Sequence, residues 1–246
     1  MEHVDVYIGR SARVGEPTRL QYQRKRLSGW WQAAARPYID WWMAKERTTK
    51  VRGLRITVPV GVFPPKFFLS TKLLCRTLSS MNLHRKSVLE VGSGSGAVSL
   101  MAAQRGAIVT AVDLSDRACY ATRRNAAANG LSVDVRESDL FTAVEGTFDL
   151  VVVNPPYFRH DPDTQFEHAF HAGAEFQYFH RLFAGMGEHL HPGSEVLLSL
   201  AEGCDAEIGS IAEQYGFTFR LQRRWMEMLQ WTYVFHVVSA APESSS

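Results

Sequence analysis

Little in this sequence points to a cross-linked or membrane-embedded protein. Its 246 residues include three cysteines, Cys75, Cys119 and Cys204, far apart and without C-x-x-C spacing. An odd, scattered set argues against a disulfide framework and for a reducing compartment. No apolar run reaches the roughly 18 residues that a bilayer-spanning helix needs. The start, Met1-Glu2-His3-Val4-Asp5, is polar and acidic, unlike a secretory signal. A cytoplasmic protein with no membrane contact is therefore expected. Internal repeats are also missing, and the length suits one α/β domain with a modest extension.

Charge is balanced overall, at +2, but unevenly placed. Residues 1–55 carry twelve Lys/Arg against five Asp/Glu; the remainder carries 15 against 20. Such a basic segment suits an acidic partner such as RNA, or simply a solvated helix face. The same region holds Trp30-Trp31 and Trp41-Trp42. Within residues 20–47 a helix interrupted by Pro37 would place Trp31, Tyr38 and Trp42 on one face, a spacing that favours packing over base stacking.

Residues 49–63 suggest a short hairpin turning at Gly53, with Ile56, Val58 and Val60 alternating. Pro64-Pro65 end it, and Ser70 or Thr71 can cap an apolar helix over 72–80. From Ser87 onward, strands and helices alternate strictly. Strands are expected near 87–91, 108–112, 132–136, 148–153, 194–200, 217–222 and 231–238. Helices are expected near 97–104, 116–128, 175–190 and 205–215. Ser115 suits an N-cap and Gly130 a C′ terminator. Phe176, Phe179, Phe183, Met186 and Leu190 form one helical stripe. This alternation specifies an α/β, Rossmann-like, doubly wound and mostly parallel seven-stranded sheet, whose last strand runs antiparallel. The expected organisation is an extension over 1–60 that recognises substrate, a main domain over 61–240 and a disordered tail over 241–246.

Gly92, Gly94 and Gly96 sit where the first strand of this alternation turns into its helix. Missing side chains there let backbone approach a ligand, and the helix start offers unpaired N–H groups. The spacing is G-x-G-x-G rather than the G-x-G-x-x-G of dinucleotide enzymes. Glu90 stands two residues before the first glycine. Asp113 ends the second strand seventeen residues after Gly96, where a carboxylate can accept from both hydroxyls of a ribose. Leu114 follows it. Asp139, after the third strand, is placed to accept from an adenine amino group, with Leu140 or Phe141 against the ring. Finally, Asn154-Pro155-Pro156-Tyr157 follows the apolar strand Phe148-Asp149-Leu150-Val151-Val152-Val153.

With these residues the chain resembles class I S-adenosyl-L-methionine (SAM)-dependent methyltransferases of the N-P-P-Y branch. That branch includes HemK-type N5-glutamine methyltransferases and amino-directed methyltransferases of adenine and guanine. The resemblance rests on Leu89–Gly96, Val112–Ser115, Asn125–Leu131, Asp139–Phe141 and Asn154–Tyr157, and spans about residues 62–200. It implies SAM as cofactor, bound by Glu90, Gly92, Gly94, Gly96, Asp113, Leu114, Asp139, Leu140 and Asn154. It also implies methyl transfer at Asn154, Pro155 and Tyr157 to a planar nitrogen, most of all that of a protein glutamine. A nucleobase amino group or a small metabolite is the alternative acceptor, and a non-catalytic SAM-binding module a remote one.

The Asn154 side-chain oxygen and the Pro155 main-chain oxygen would accept the two N–H groups. Tyr157 would stack on the acceptor, with Phe158 walling the pocket. Two departures from the HemK pattern stand out: Lys66-Phe67-Phe68 where an acidic residue is usual, and Glu175 in place of a glycine. Six of the nine histidines fall in 160–191, but with no cysteine near His168 and His171 no metal is expected. His160, Asp161 and Asp163 lie close enough in sequence to N-P-P-Y to meet substrate, or are ordinary loop residues. The partner is a protein or nucleic acid carrying the acceptor nitrogen, and a monomer or weak dimer is expected.

Overall fold

The computed structural model describes residues 7–8, 37–39, 41–157, 159–161, 171–227 and 230–239. Two N-terminal segments are short strands and a hairpin: β1 (Tyr7–Ile8), then β2 (Arg47–Val51) and β3 (Leu54–Val58). After α1 (Leu69–Ser79) the alternation begins, with β4 (Ser87–Val91), α2 (Ala97–Gln104), β5 (Ile108–Asp113), α3 (Asp116–Ala128), β6 (Asp134–Glu137) and β7 (Phe148–Val153). It closes with α4 (Gln177–Met186), β8 (Leu190–Ala201), α5 (Asp205–Gln214), β9 (Phe217–Glu227) and β10 (Gln230–Ser239). The seven expected strands form one sheet, and β1 extends its edge to give the order β1-β9-β10-β8-β7-β4-β5-β6. Two residues are too few to show a period, so β1 left no trace in the sequence pattern. β10 runs antiparallel to both β8 and β9, as expected.

Strand order places the functional loops. From β4 the chain winds outward through β5 and β6, then returns so that β7 pairs on the other side of β4. That reversal is the topological switch point at which open α/β sheets bind ligands. Parallel pairing aligns Val91 with Val153, so Gly92 and Asn154 emerge from adjacent strand ends. Neighbouring strands lie about 4.8 Å apart. Both strands are buried on two faces, which explains the apolar run Leu150-Val151-Val152-Val153 and the apolar residues on either side of Glu90. Val88, Leu150 and Val152 join the core under α1 and α2. Leu89, Val91, Val151 and Val153 join the core under α4 and α5.

Elsewhere some expectations shift. The hairpin turns through Arg52 and Gly53, both with positive φ (49° and 91°), as a two-residue type I′ connection requires. Its alternation stops at Val58; Val60 lies beyond the strand and is 46% exposed. Val51, Leu54, Ile56 and Val58 are buried in the same core as α1 and α2. Asn125 fixes the hairpin to α3, exchanging bonds with Thr57 N and O at 2.9 and 2.8 Å.

Helix α1 begins three residues before the expected 72, and neither Ser70 nor Thr71 caps it. The capping position is Phe68, without a side-chain bond. Both hydroxyl residues lie inside the first turn, and Thr71 faces Asn154 instead. Ser115 does cap α3, accepting from Ala118 N at 3.4 Å, and Gly130 ends it with φ 65°. Helical backbone occurs at 37–39 and 41–43. The expected helix before Pro37, Trp30-Trp31 and the tail after 240 lie outside the described residues.

Glu90 points from β4 into the interior, only 2% exposed. Its Oε2 accepts from the Ser99 backbone N–H at 2.8 Å and from the Ser99 hydroxyl, in the first turns of α2. Burial pushes its carboxyl up to about 8, against the opposing pull of these bonds. The folded protein therefore holds a proton that the unfolded chain releases near 4.5. The stability this contributes is present in full below about 4.5 and is lost as pH rises through about 8. Melting curves across that window should show the unsubstituted protein losing stability with rising pH relative to Glu90→Gln. Parallel curves would rule the assignment out.

Gly96 answers to packing. With φ 81°, a Cβ there would stand 2.9 Å from both Thr122 Cγ2 and Oγ1. Gly96→Ala should cost about 1–3 kcal/mol of stability from strain and overpacking, measurable by denaturant unfolding, and Thr122→Ser beside it should recover part of the loss.

Candidate functional site

A crevice of about 500 Å³ opens over the ends of β4 and β7. The loop after β4 forms its floor. Backbone N–H groups of Gly92 and Ser93 donate to Val112 O at 2.9 and 3.0 Å, tying the loop to β5. Gly92 has φ 82° and its missing Cβ would meet nothing within 4 Å, so backbone is open to a ligand here. At Gly94 the Cβ position comes within 3.8 Å of Phe63 Cβ, where residues 61–65 pass beside the loop. Gly92 and Gly94 line the crevice; Gly96 does not, for the packing reason above.

Carboxylates surround this floor. Asp113 Oδ2 accepts from Gly94 N at 2.8 Å and Oδ1 from Ser115 N at 2.9 Å. Each oxygen thus keeps acceptor capacity facing the crevice. Burial raises its carboxyl above the usual range, and the two backbone bonds oppose that rise. Leu114 beside it is 42% exposed. Asp139 also lines the crevice, but its Oδ2 takes Arg181 Nη2 at 2.6 Å. Leu140, buried and at φ 51°, lines the crevice beside it. Glu90 reaches the crevice floor, although its bonds go to Ser99.

On the other side, Asn154 is held at both ends of its amide. Its Nδ2 donates to Thr71 Oγ1 at 3.3 Å, and its Oδ1 accepts from Ser199 Oγ at 2.6 Å. Ser199 is fully buried in β8 and Thr71 is buried in α1. Asn154 therefore cannot swing without breaking contacts to two separate elements. Pro155, Pro156 and Tyr157 continue along the crevice wall. Burial pushes the Tyr157 phenol up to about 12, so it stays neutral.

Described residues on either side of 162–170 border the same opening. Asp161 Oδ1 accepts from Ala174 N at 2.8 Å. Arg159 bonds Ala174 O at 2.7 Å and reaches Glu175 and Glu207 at 3.3 and 3.0 Å. Asp161, His171, Gln177, Tyr178 and Arg181 line this side. His160 is an exposed loop residue whose ring lies 5.1 Å from that of His171. Phe158, Asp163 and His168 lie outside the described residues. Among the described residues no group of three His, Cys, Asp or Glu side chains is arranged to hold a metal ion, and no helix is long and apolar enough to cross a membrane.

Sequence reasoning missed the residues that orient Asn154. Ser199 had a signal, a lone hydroxyl inside the apolar run Val196-Leu197-Leu198-Ser199-Leu200. Thr71 was readable only as a cap. Arg117 and Arg181, both lining the crevice, carry no signal in the local sequence.

The family described as Methyltransferase small domain matches residues 53–207. A release factor glutamine methyltransferase of Deinococcus radiodurans is 34% identical over 163 residues, covering 60% of this chain and 57% of that one. A ribosomal RNA small subunit methyltransferase C of Chromohalobacter salexigens is 46% identical over 72 residues, 29% of this chain and 22% of that one. The chain spans less than two thirds of the length of such relatives. Among solved structures, a methyltransferase from Pyrococcus furiosus superposes with a TM-score of 0.57 at 20% identity, covering 87% of this chain and 98% of that chain. The Thermus thermophilus 16S rRNA N2 G1207 methyltransferase, in complex with AdoMet and guanosine, gives 0.57 at 20% identity over 78% of this chain and 50% of that one. At such identities these two speak for the fold alone. The match over more than half of the sequence settles membership: this chain belongs to the methyltransferase small domain family.

Proposed function

We propose that the protein is a SAM-dependent methyltransferase that modifies a planar –NH2 nitrogen. The observation that carries this reading is Asn154, clamped between Thr71 and Ser199 beside the glycine loop at the switch point.

The residues present fit SAM. Gly92 leaves open space against bare backbone, Asp113 keeps acceptor capacity for two hydroxyls, and Asp139 and Asp161 line the same crevice. SAM, when bound, supplies an electrophilic methyl carbon on a sulfonium. The protein has to align the acceptor and exclude water. Amide and aniline-like nitrogens are poor nucleophiles because their lone pair is delocalised. Asn154 Oδ1, with one lone pair engaged by Ser199, offers the other to an acceptor N–H. The Pro155 carbonyl accepts the second N–H. Two acceptors fix the amino plane and draw density onto the nitrogen as its charge turns positive. Tyr157, neutral and beside them, stacks on the planar group. The catalytic assignment is therefore Asn154, Pro155 and Tyr157. Cofactor contacts fall to Glu90, Gly92, Gly94, Asp113, Leu114, Asp139 and Leu140, with Gly96 shaping the loop from behind.

A glutamine amide and a nucleobase amine share the planar –NH2 that this geometry addresses. Relatives named as glutamine methyltransferases support the first acceptor, and relatives named as a ribosomal RNA methyltransferase and a tRNA adenine-N6 methyltransferase support the second. Incubation with methyl-labelled SAM and cell extract, followed by protease or nuclease, tells them apart. Asn154→Ala should lower kcat by about 10²–10³, the cost of removing one preorganised polar contact in an active site, while SAM affinity stays within about twofold by calorimetry. A variant with full turnover would remove Asn154 from the mechanism. Ser199 acts through Asn154 as a positioning residue. Ser199→Ala should lower kcat roughly tenfold, about 1.4 kcal/mol, with the KM for SAM unchanged; a rise in KM alone would point to a structural role.

A further inference from the structure

A second depression, of about 530 Å³, lies on the other side of α1 from the crevice. Lys50, Arg52, Lys66, Lys72 and Arg76 line it, and no Asp or Glu does so among the described residues. All five cations are exposed. Trp225 of β9 closes one flank, 48% exposed, with the Arg76 guanidinium 5.3 Å from its ring centroid. Arg76 and Lys66 lie over the Trp225 and Phe67 rings, at 5.3 and 5.6 Å, yet five like charges brought together repel one another. What they build is a concentrated positive field that raises the local concentration of a polyanion.

Its position relative to the catalytic crevice is what gives this field a meaning. Ser70 and Thr71 of α1 line the crevice, whereas Leu69, Lys72, Leu73 and Arg76 of the same helix line the basic depression. Pro65 lines both. The two spaces are thus separated by one helix, whose diameter is about 10 Å. They differ in charge as well: Asp113, Asp139 and Asp161 share the crevice with Arg117 and Arg181, whereas every charged residue lining the depression is a cation.

Resting on the methyl-transfer reading above, we propose that the depression holds the phosphate backbone of a single-stranded RNA whose target base enters the crevice past Pro65, making a nucleobase amine the acceptor. Closely spaced cations match repeating phosphates, and an exposed tryptophan beside them offers a stacking face for a neighbouring base. Only an unpaired base presents its amino edge without the cost of extrusion from a duplex. The depression offers phosphates only cations, whereas the crevice, mixed in charge and with Asp139 already taken by Arg181, suits an uncharged base.

The test uses the full chain with a labelled, mixed-sequence single-stranded RNA and, separately, SAM. Five phosphate contacts predict a slope of log affinity against log salt near −3.5, or on the order of a hundredfold weakening between 50 and 200 mM salt. Lys66→Ala with Lys72→Ala should bring the slope to about −2 and leave SAM binding unchanged. Trp225→Ala should weaken RNA binding about tenfold at an unaltered slope. Label from methyl-SAM should then be removed by ribonuclease.

RNA binding that ignores salt or these substitutions, with SAM still bound, overturns the groove and leaves the methyl-transfer reading standing. Label removed by protease alone, or equal labelling of a DNA strand of the same sequence, also overturns it. Failure of the unsubstituted protein to bind SAM is a different result. It overturns methyl transfer, and with it RNA as the methyl acceptor, even where the groove still binds RNA.

Discussion

The pairing of β7 with β4 is the constraint on which the site depends. These two strands are separated by two complete βα units in the chain, and only their parallel register brings the glycine loop beside Asn154. A slip of one residue would send Val151 and Val153 to the opposite face, and Leu150 and Val152 with them, exchanging the two cores. Burial on both faces makes that exchange costly. The same burial that stabilises the sheet therefore sets the separation of the two loops.

Around this fixed edge, polar groups are positioned by elements that do not adjoin them in sequence. Asn154 takes its orientation from α1 through Thr71 and from β8 through Ser199. Asp113 ends β5 and is pinned by the loop after β4 and by the start of α3. Asn154 and Asp113 are thus each held by two other segments, an arrangement that fixes geometry better than any single contact. Helix α1 has a further part, since one side of its first turn supports Asn154 while the other side carries Lys72 and Arg76 into the basic depression. A nearly neutral protein thereby presents a crevice of mixed charge and a basic groove side by side.

Most of the fold was legible in the sequence. The switch from hairpin to alternating strands and helices marked the doubly wound sheet, because a buried parallel strand must be apolar at every position and Leu150-Val151-Val152-Val153 is. Ser115 and Gly130 marked the ends of α3 because capping and left-handed backbone demand those residue types. What failed was local. Ser70 and Thr71 carry the chemistry of a cap, yet the helix starts before them and the Thr71 hydroxyl serves a residue 83 positions away. Gly96 looked like ligand-facing backbone, but the clash that requires glycine comes from Thr122 on the neighbouring helix.

By itself the sequence determined the periodicities, the turns and the two loop motifs, because each depends on residues within a few positions of one another. It also determined that a glycine turn and an Asn-Pro-Pro-Tyr turn both follow strands. Tertiary structure alone decided that those strands are neighbours, that Ser199 and Thr71 orient the asparagine, and that five dispersed cations converge with Trp225 into one groove. Such pairings join positions tens of residues apart. The strand pairing draws its energy from burying both partners at once, which no local pattern of residues can encode, and it carries the exposed cations into place.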